Sequence, residues 1–274
     1  MQPHYLILLV VGVLIFIGTV RYYIMHLAKK RRREMLFATP APKSWDDILK
    51  KNVALYRFLP GEKKAELAGH MHIFLDEKSF EGCKGQEIAE AVRVTVAAQA
   101  CMLLLGQSNP TYYPRLRSIL MYPHAYIAQE NSGTMQGDSC RLGESWTGGT
   151  VVLAWDHTRQ TTVDLKDGHN LVMHEFAHQL DQEDGDGDGA PILETTSKYS
   201  AWAKVMQQQF AELQDKTDRG RKDVMDSYGA TNPAEFFAVA TETFFEKGKY
   251  LRKKHPELYQ QLKDFYKLDP AEWF

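Results

Sequence analysis

The sequence predicts one α+β domain, mainly helical with a small sheet, preceded by a single transmembrane helix. Three observations predict this: a charge-free apolar run near the N-terminus, several long stretches with helical periodicity, and a short β-branched run after two glycines. The 274 residues are 44% hydrophobic and 25% charged, an ordinary globular balance that excludes a disordered chain. Three cysteines are too few for a disulfide scaffold and suit a reducing compartment.

The N-terminal segment predicts the membrane helix, over residues 5–25. Leu6 to Val20 contains no charged residue, and about twenty helical residues span the ~30 Å of a hydrocarbon core. No small-residue cleavage site follows the apolar run, which argues against a cleaved signal peptide. A buried core helix is the competing interpretation.

A basic juxtamembrane segment and linker is predicted next, over residues 26–44, and it includes five consecutive cations from Lys29 to Arg33. The positive-inside rule keeps such a block in the cytoplasm, so we expect the domain that follows, residues 45–274, on the cytoplasmic side. The first 34 residues carry six cations and one acid, which leaves a net charge of −7 on the rest of the chain. A net-acidic body does not suit nucleic-acid binding.

Helical and strand signals succeed one another along the domain. Pro40 and Pro42 punctuate the connector, and Ser44 is predicted to cap the first helix. Glu87 to Leu105 is long and apolar, which predicts a central helix with Cys101 in the core. Further helices are predicted from Pro60 and over about 168–182, 197–217, 232–247 and 256–266, and strands over 119–122, 126–128 and 150–155.

Residues 174–178 read HEFAH, which is the H-E-x-x-H pattern. His174 and His178 lie one helical turn apart on one face, so both imidazoles can reach one metal ion. Glu175 is displaced by one residue, where its carboxylate can act as a general base toward a water that zinc activates. The apolar flanking residues predict a buried helix, which argues against a surface helix with two incidental histidines.

A catalytic zinc site uses three protein ligands, and two histidines leave it incomplete. A carboxylate from a later helix is expected, and Asn232 with Pro233 predicts the start of such a helix, with the asparagine as its N-cap. Glu235 and Glu242 are seven residues apart and share a face of this helix. Spacing does not choose between them, because Glu235 also suits a capping box and Glu242 an ion pair.

Longer motifs surround these positions and extend over nearly all of residues 45–272. They are 174–181 (HEFAHQLD), 143–146 (GESW) with Gly149, 152–155 (VLAW), Tyr228 with 232–239 (NPAEFFAV), 258–259 (LY), 265–266 (FY) and 269–270 (DP). With these motifs the chain resembles the Mlc titration factor A family of bacterial zinc peptidases, whose metal site is similar to that of anthrax lethal factor. The N-terminal membrane helix is its clearest departure from that family.

The resemblance implies a zincin-like metallopeptidase domain that binds one zinc ion through His174, His178 and Glu235. It implies Glu175 as the general base and Tyr228 as a support for the oxyanion, and a phenol donor aimed at a developing negative charge suits that role. A peptide substrate follows, with aminopeptidase-like action on short peptides. For a bacterial protein the membrane helix then indicates the inner membrane.

Two other functions stay open beside the peptidase. The chain could be a protein that binds and sequesters a transcriptional regulator of the Mlc type, with the peptidase activity secondary. It could also hold an inactive, structural zinc ion, a hypothesis that any zinc-dependent peptidase rate of the purified protein would contradict.

Two weaker signals concern the surroundings of the site. Val151 to Trp155 predicts either an edge strand that receives an extended peptide or a plain core strand. Residues 184–189 (DGDGDG) look like the start of a calcium loop, but Thr195 stands at the twelfth position, where a bidentate glutamate is needed. We therefore expect an acidic loop beside the cleft rather than a calcium site.

Overall fold

The computed structural model describes residues 3–128, 139–141, 143–146, 149–163, 165 and 168–273. Its α-helices are α1 (Pro3–Phe37), α2 (Lys43–Asn52), α3 (Gly61–Glu77), α4 (Glu90–Met102), α5 (Trp155–Val163), α6 (Leu171–Asp181), α7 (Thr196–Asp218), α8 (Pro233–Glu246), α9 (Gly248–Lys254) and α10 (Pro256–Tyr266). Its strands are β1 (Ser79–Gly82), β2 (Ser118–Tyr122), β3 (Tyr126–Ala128), β4 (Ser139–Arg141), β5 (Gly143–Trp146) and β6 (Thr150–Ala154). The predicted fold class, mainly helical with a small sheet, is confirmed.

Four strands form the main sheet, in the order β1-β2-β6-β5. β1, β2 and β6 run parallel to one another, whereas β5 pairs antiparallel with β6. β6 is buried along nearly its whole length, because it lies between two strands and contacts α5 and α6. Of the two interpretations of Val151 to Trp155, the core strand is therefore correct, and β5 is the edge on that side. Trp155 itself begins α5.

The predicted elements differ from the observed ones mainly at their ends. α2 begins at Lys43 with Pro42 at its N-cap, so the predicted cap at Ser44 is wrong; the Ser44 hydroxyl donates instead to Glu90, over 3.0 Å. α4 is shorter than the predicted helix and ends at Met102, and Cys101 is fully buried as expected. β3 pairs with β4 in a separate two-stranded sheet. β1, β4, β5, α5 and α9 were not predicted from the sequence.

α6 lies at the centre of the fold and contacts α4, α5, α8, β5 and β6. All of its residues except His174 are buried. Phe176 packs edge-on against Tyr113, with ring centroids 4.9 Å apart, and its centroid is 5.6 Å from that of Phe74. Burying one such ring contributes about 1.5–3 kcal/mol, so these contacts hold α6 firmly in place.

α1 runs unbroken to Phe37, twelve residues beyond the predicted end of the membrane helix. Its side chains are exposed from residue 10 to 25, and by length and composition it can cross a membrane. The basic segment that we expected to be a linker is helical up to Phe37 and lies against α3, where Arg32 pairs with Asp76 and Arg33 with Glu77. These partners are 44 residues apart in the sequence, which is why local signals do not reveal the longer helix.

Candidate metal centre

Asn170 fixes the start of α6 and is fully buried. Its Oδ1 accepts the Met173 N–H over 3.1 Å, which satisfies one of the free donors at the helix end. Its Nδ2 donates to Gln99 on α4 over 3.1 Å and to Glu246 on α8 over 2.9 Å. Sequence reasoning missed this residue, although an asparagine directly before an apolar run is a signal for a helix start.

Three donor atoms converge where α6 faces α8. His174 Nε2 lies 3.0 Å from Glu235 Oε2, His178 Nε2 lies 3.4 Å from the same oxygen, and the two nitrogens are 3.3 Å apart. A tetrahedral ion with bonds of about 2.0–2.1 Å keeps its ligand atoms about 3.3 Å apart. The triangle formed by His174, His178 and Glu235 therefore has the size that such an ion requires.

α8 brings Glu235 to this point through its N-terminus. The Asn232 side chain accepts the Glu235 N–H over 3.0 Å, and Pro233 occupies the first turn, so the predicted helix start is confirmed. The Glu235 carboxylate lies beside the two histidines, as the distances above show. The cap thus sets the backbone of Glu235 and leaves its side chain directed at α6.

Glu242 meets His174 from the other side. His174 Nδ1 donates to Glu242 Oε1 over 2.7 Å, while the second Glu242 oxygen accepts the backbone N–H of Asn170. The two glutamates that spacing left undecided thus face different nitrogens of one imidazole. A carboxylate on the remote nitrogen fixes the ring's orientation and makes the facing nitrogen a better donor to a metal.

Comparison with known proteins gives this arrangement its context. The family described as glucose-regulated metallo-peptidase M90 matches residues 27–267. The chain belongs to the M90 metallopeptidase family. It is 40% identical over 246 residues to an uncharacterized protein of Synechocystis sp., which covers 87% of this chain and 89% of that protein. It is 28% identical over 236 residues to Mlc titration factor A of Salmonella typhi, which covers 83% of this chain and 87% of that protein. The resemblance drawn from the sequence motifs is confirmed.

The imidazoles and carboxylates of this cluster shift one another's pKa values. Burial works against a charged imidazole, but the carboxylates of Glu242 and Glu235 outweigh it and hold the pKa of His174 well above its usual value. Burial likewise opposes a charged Glu235, yet hydrogen bonds from His174 and His178 hold the pKa of its carboxyl well below the usual range. A cluster that stabilises an added proton in this way would also stabilise a divalent cation among the same atoms.

Glu175, the acid of the HEFAH motif, has a pKa shifted in the opposite direction to that of Glu235. It is 5% exposed, and burial raises its pKa to about 7, since the charges of His174 and His178 offset only part of the desolvation. A carboxyl whose pKa lies near the working pH can both accept and return a proton, which is the requirement for a general base.

Tyr228 lies at the mouth of the centre. Its side chain is 53% exposed, and its ring centroid is 5.9 Å from that of His174. A short 3₁₀ turn, Ser227–Ala230, carries it, and this turn is held by Asp226, whose side chain accepts the Tyr228 N–H over 2.7 Å. The structure thus places Tyr228, which only family resemblance suggested, beside His174.

The acidic loop forms no comparable cluster. Asp184 and Asp188 accept backbone N–H groups of Asp186 and Ala190, two residues on, which are ordinary turn contacts. Within the described ranges, only His174, His178 and Glu235 bring three potential ligand atoms close to one point.

Proposed function

We propose that this M90 member is a zinc-dependent peptidase that binds one zinc ion through His174, His178 and Glu235. The observation that carries the proposal is the triangle of donor atoms with sides of 3.0, 3.3 and 3.4 Å. Imidazole and carboxylate donors in this number are typical of catalytic zinc sites, which keep a further position open. Metal analysis of the purified chain tests the identity of the ion directly, and we expect one zinc per chain.

Each residue of the centre would then have a separate task. Zinc in such a site supplies Lewis-acid chemistry, which polarises a peptide carbonyl and activates water at neutral pH. Glu175 takes a proton from the attacking water and passes it to the leaving amine, for which its pKa of about 7 is suitable. Tyr228 donates a hydrogen bond to the carbonyl oxygen as negative charge develops there. Glu242 holds His174 in the required orientation.

The substitution Glu175→Gln tests the base. The amide keeps the size of the side chain but cannot accept the proton, so we expect unchanged zinc content and a roughly 10²- to 10⁴-fold lower kcat. Glu257→Gln, on the exposed side of α10, is the matched control and should keep full activity. Substantial turnover by the Glu175 variant would refute its role, whatever the zinc content.

Aminopeptidase-like action on short peptides is the finer part of the proposal, and family resemblance supports it. It is tested by pairs of peptides that differ only in N-terminal acetylation. An aminopeptidase releases the first residue of the free peptide and leaves the acetylated one intact. Equal cleavage of both members of each pair would identify an endopeptidase instead.

We further propose that residues 5–25 of α1 span the inner membrane once, with the M90 domain in the cytoplasm. The exposed apolar side chains of α1 and the cations from Lys29 to Arg33 support this orientation. Protease added to intact spheroplasts should leave the domain undigested and should degrade it once the membrane is opened. Digestion from outside would reverse the orientation.

A second function, binding of a transcriptional regulator, is favoured by the name of several relatives, Mlc titration factor A. A membrane-bound binder would keep such a regulator from DNA by location. The substitution His178→Ala separates this function from the first, because it removes a proposed zinc ligand. Co-purification of a regulator of the Mlc type that survives the substitution supports binding independent of the peptidase site.

A further inference from the structure

The segment of α1 beyond the proposed membrane span is bound to the rest of the molecule by paired charges. Arg33 makes two parallel bonds to Glu77 on α3, Nε to Oε1 over 2.7 Å and Nη2 to Oε2 over 2.9 Å. Arg32 forms the same kind of pair with Asp76, one residue earlier on α3. Such two-pronged arginine–carboxylate contacts fix geometry as well as distance.

A packing contact completes this interface at the end of α1. A side-chain carbon added at Gly69 of α3 would lie 2.7 Å from the ring of Phe37, so the aromatic ring occupies the space that only glycine leaves. α1 and α3 therefore meet closely from residue 32 to residue 37, and α1 cannot swing freely about its junction with the domain.

Arg33, unlike Arg32, also contacts a turn that packs against α6. Its guanidinium carbon is 4.6 Å from the ring centroid of Tyr112, and its Nη2 donates to the Thr111 carbonyl over 3.4 Å. Stacking of a guanidinium on an aromatic face is attractive and orients the ring. Arg33 thus joins α1, α3 and the turn formed by residues 111–113.

The 111–113 turn has a backbone that needs outside support. Tyr112 and Tyr113 adopt φ angles of +59° and +54°, a left-handed conformation that is unfavourable for residues other than glycine. Their hydroxyls are held by neighbouring helices, that of Tyr112 by His70 over 2.8 Å and that of Tyr113 by the Ala100 carbonyl over 2.6 Å. Two successive residues of this kind persist only where the surroundings dictate them.

The same turn touches α6 at two places. The Tyr113 ring packs edge-on against Phe176, which stands inside the HEFAH motif between the two histidines. The Thr111 hydroxyl donates over 2.7 Å to Glu183, two residues after α6 ends. A continuous set of direct contacts therefore runs from Arg33 on α1 to the middle and the end of the metal-site helix.

We propose that the basic end of α1 is a positioning element for the metal centre: Arg33, through the 111–113 turn, holds α6 in the conformation that keeps His174 and His178 together. Its importance for catalysis rests on the proposed zinc peptidase function, whereas the coupling itself does not. The membrane helix is then part of the construction of the site, in addition to its role in location.

The test uses the full-length chain in detergent micelles and compares Arg33→Ala with Arg32→Ala. Both substitutions remove one arginine–carboxylate pair with α3, but only the first also removes the contacts with Tyr112 and Thr111. We measure hydrogen exchange of metal-free protein over residues 111–116 and 176–183, and zinc affinity by chelator competition. Arg33→Ala should speed exchange in both segments and weaken zinc binding roughly 2- to 30-fold, the range of couplings carried by such contacts.

Arg32→Ala should change neither exchange in these segments nor zinc affinity. Equal effects of the two variants, or faster exchange confined to α1 and α3, would overturn the proposal. Thr111→Val gives an independent measurement if Arg33→Ala fails to fold, because it cuts the bond to Glu183 and leaves α1 docked. It should speed exchange over 181–183 and not over 29–37; no change at 181–183 would count against the coupling. If the variants show the coupling and the unsubstituted chain cleaves no peptide, only the peptidase function is refuted.

Discussion

Two pairs of helices in this molecule are joined by charged groups, and they differ in where those groups lie. Between α6 and α8, Glu235 and Glu242 meet His174 in the interior, where Glu242 is 3% exposed. Between α1 and α3, Asp76 meets Arg32 at the surface, where the arginine side chain is 64% exposed. The interior contact is carried by groups that would be unstable there alone, and the surface contact by groups that water also solvates.

This difference decides what each contact contributes. Removing one partner of a buried pair leaves an uncompensated charge and costs about 3–5 kcal/mol, whereas an exposed pair is worth about 0–1 kcal/mol. Each interior group is thus stabilised by its charged partner, and the pairing preorganises the cluster for a cation. The Arg32–Asp76 surface pair contributes less to stability, so its value lies in the direction that it gives to α1.

The largest effect should follow from Glu235→Gln, which removes the charge that α8 brings to the two histidines. We expect the chain to lose its zinc, because a neutral amide is a poor third ligand beside His174 and His178. Atomic absorption on dialysed protein measures this. Retention of one zinc per chain would show that another acid completes the site and would contradict the proposed ligand set.

Asp181, a buried acid at the end of α6, should behave in the opposite way, because its neutralisation should stabilise the fold. Asp181 is 1% exposed, and burial raises the pKa of its carboxyl to about 6. Because the folded state prefers the protonated acid, the charged form destabilises the fold by ~3 kcal/mol above about pH 6, and this cost disappears below about pH 4. Asp181→Asn should therefore stabilise the fold at pH 7.5.

Urea unfolding in the presence of a chelator, which removes any effect of metal release, measures this gain as a function of pH. The advantage of Asp181→Asn over the unsubstituted chain should shrink as the pH falls from 6 to 4. A constant difference across this range would show that Asp181 is not the titrating group.

Glu242→Gln should have an intermediate effect, because it weakens the interior contact without removing a proposed ligand. The amide can still accept from His174 Nδ1, but its NH₂ group then faces the backbone N–H of Asn170. We expect zinc affinity to fall about 10- to 100-fold, as for other residues that orient a metal-bound histidine. Chelator competition measures it against the exposed control Glu257→Gln, and unchanged affinity would assign Glu242 to folding alone.

The smallest effect is expected at the surface, for Asp76→Asn. Loss of its pair with the exposed Arg32 should lower the free energy of unfolding by no more than about 1 kcal/mol, and less at high salt, which screens such pairs. Urea unfolding at 50 mM and 500 mM salt measures both. A loss as large as that of an interior substitution would erase the distinction between the two helix pairs.

The parts of the site that depend on residues close together in the sequence could be predicted from it. The HEFAH spacing, the apolar flanks of α6 and the Asn232 cap of α8 are all patterns within a few residues, and the structure shows each element as predicted. The roles of Glu235 and Glu242 could not be separated in this way, because both share one face of α8 and differ only in which His174 nitrogen they meet.

The features that the sequence left open or predicted wrongly depend on segments that are distant in the chain. The burial of β6 depends on β2 and β5 as neighbours, and the length of α1 depends on acids of α3 that lie 44 residues away. Ser44 has the residue type of a helix cap, but Pro42 takes that position and the serine turns to Glu90. The residue type determines which interactions a side chain can make, whereas the fold determines which partner is within reach.

The continuity of α1 has a mechanical consequence. A helix advances 1.5 Å and turns 100° with each residue. If α1 spans a bilayer as proposed, the number of residues between that bilayer and Phe37 sets both the height and the rotational orientation of the cluster formed by His174, His178 and Glu235. One residue inserted near Met25 would rotate the domain by about 100° relative to the proposed membrane span. A single-codon insertion far from this cluster would thus reorient the domain relative to the bilayer.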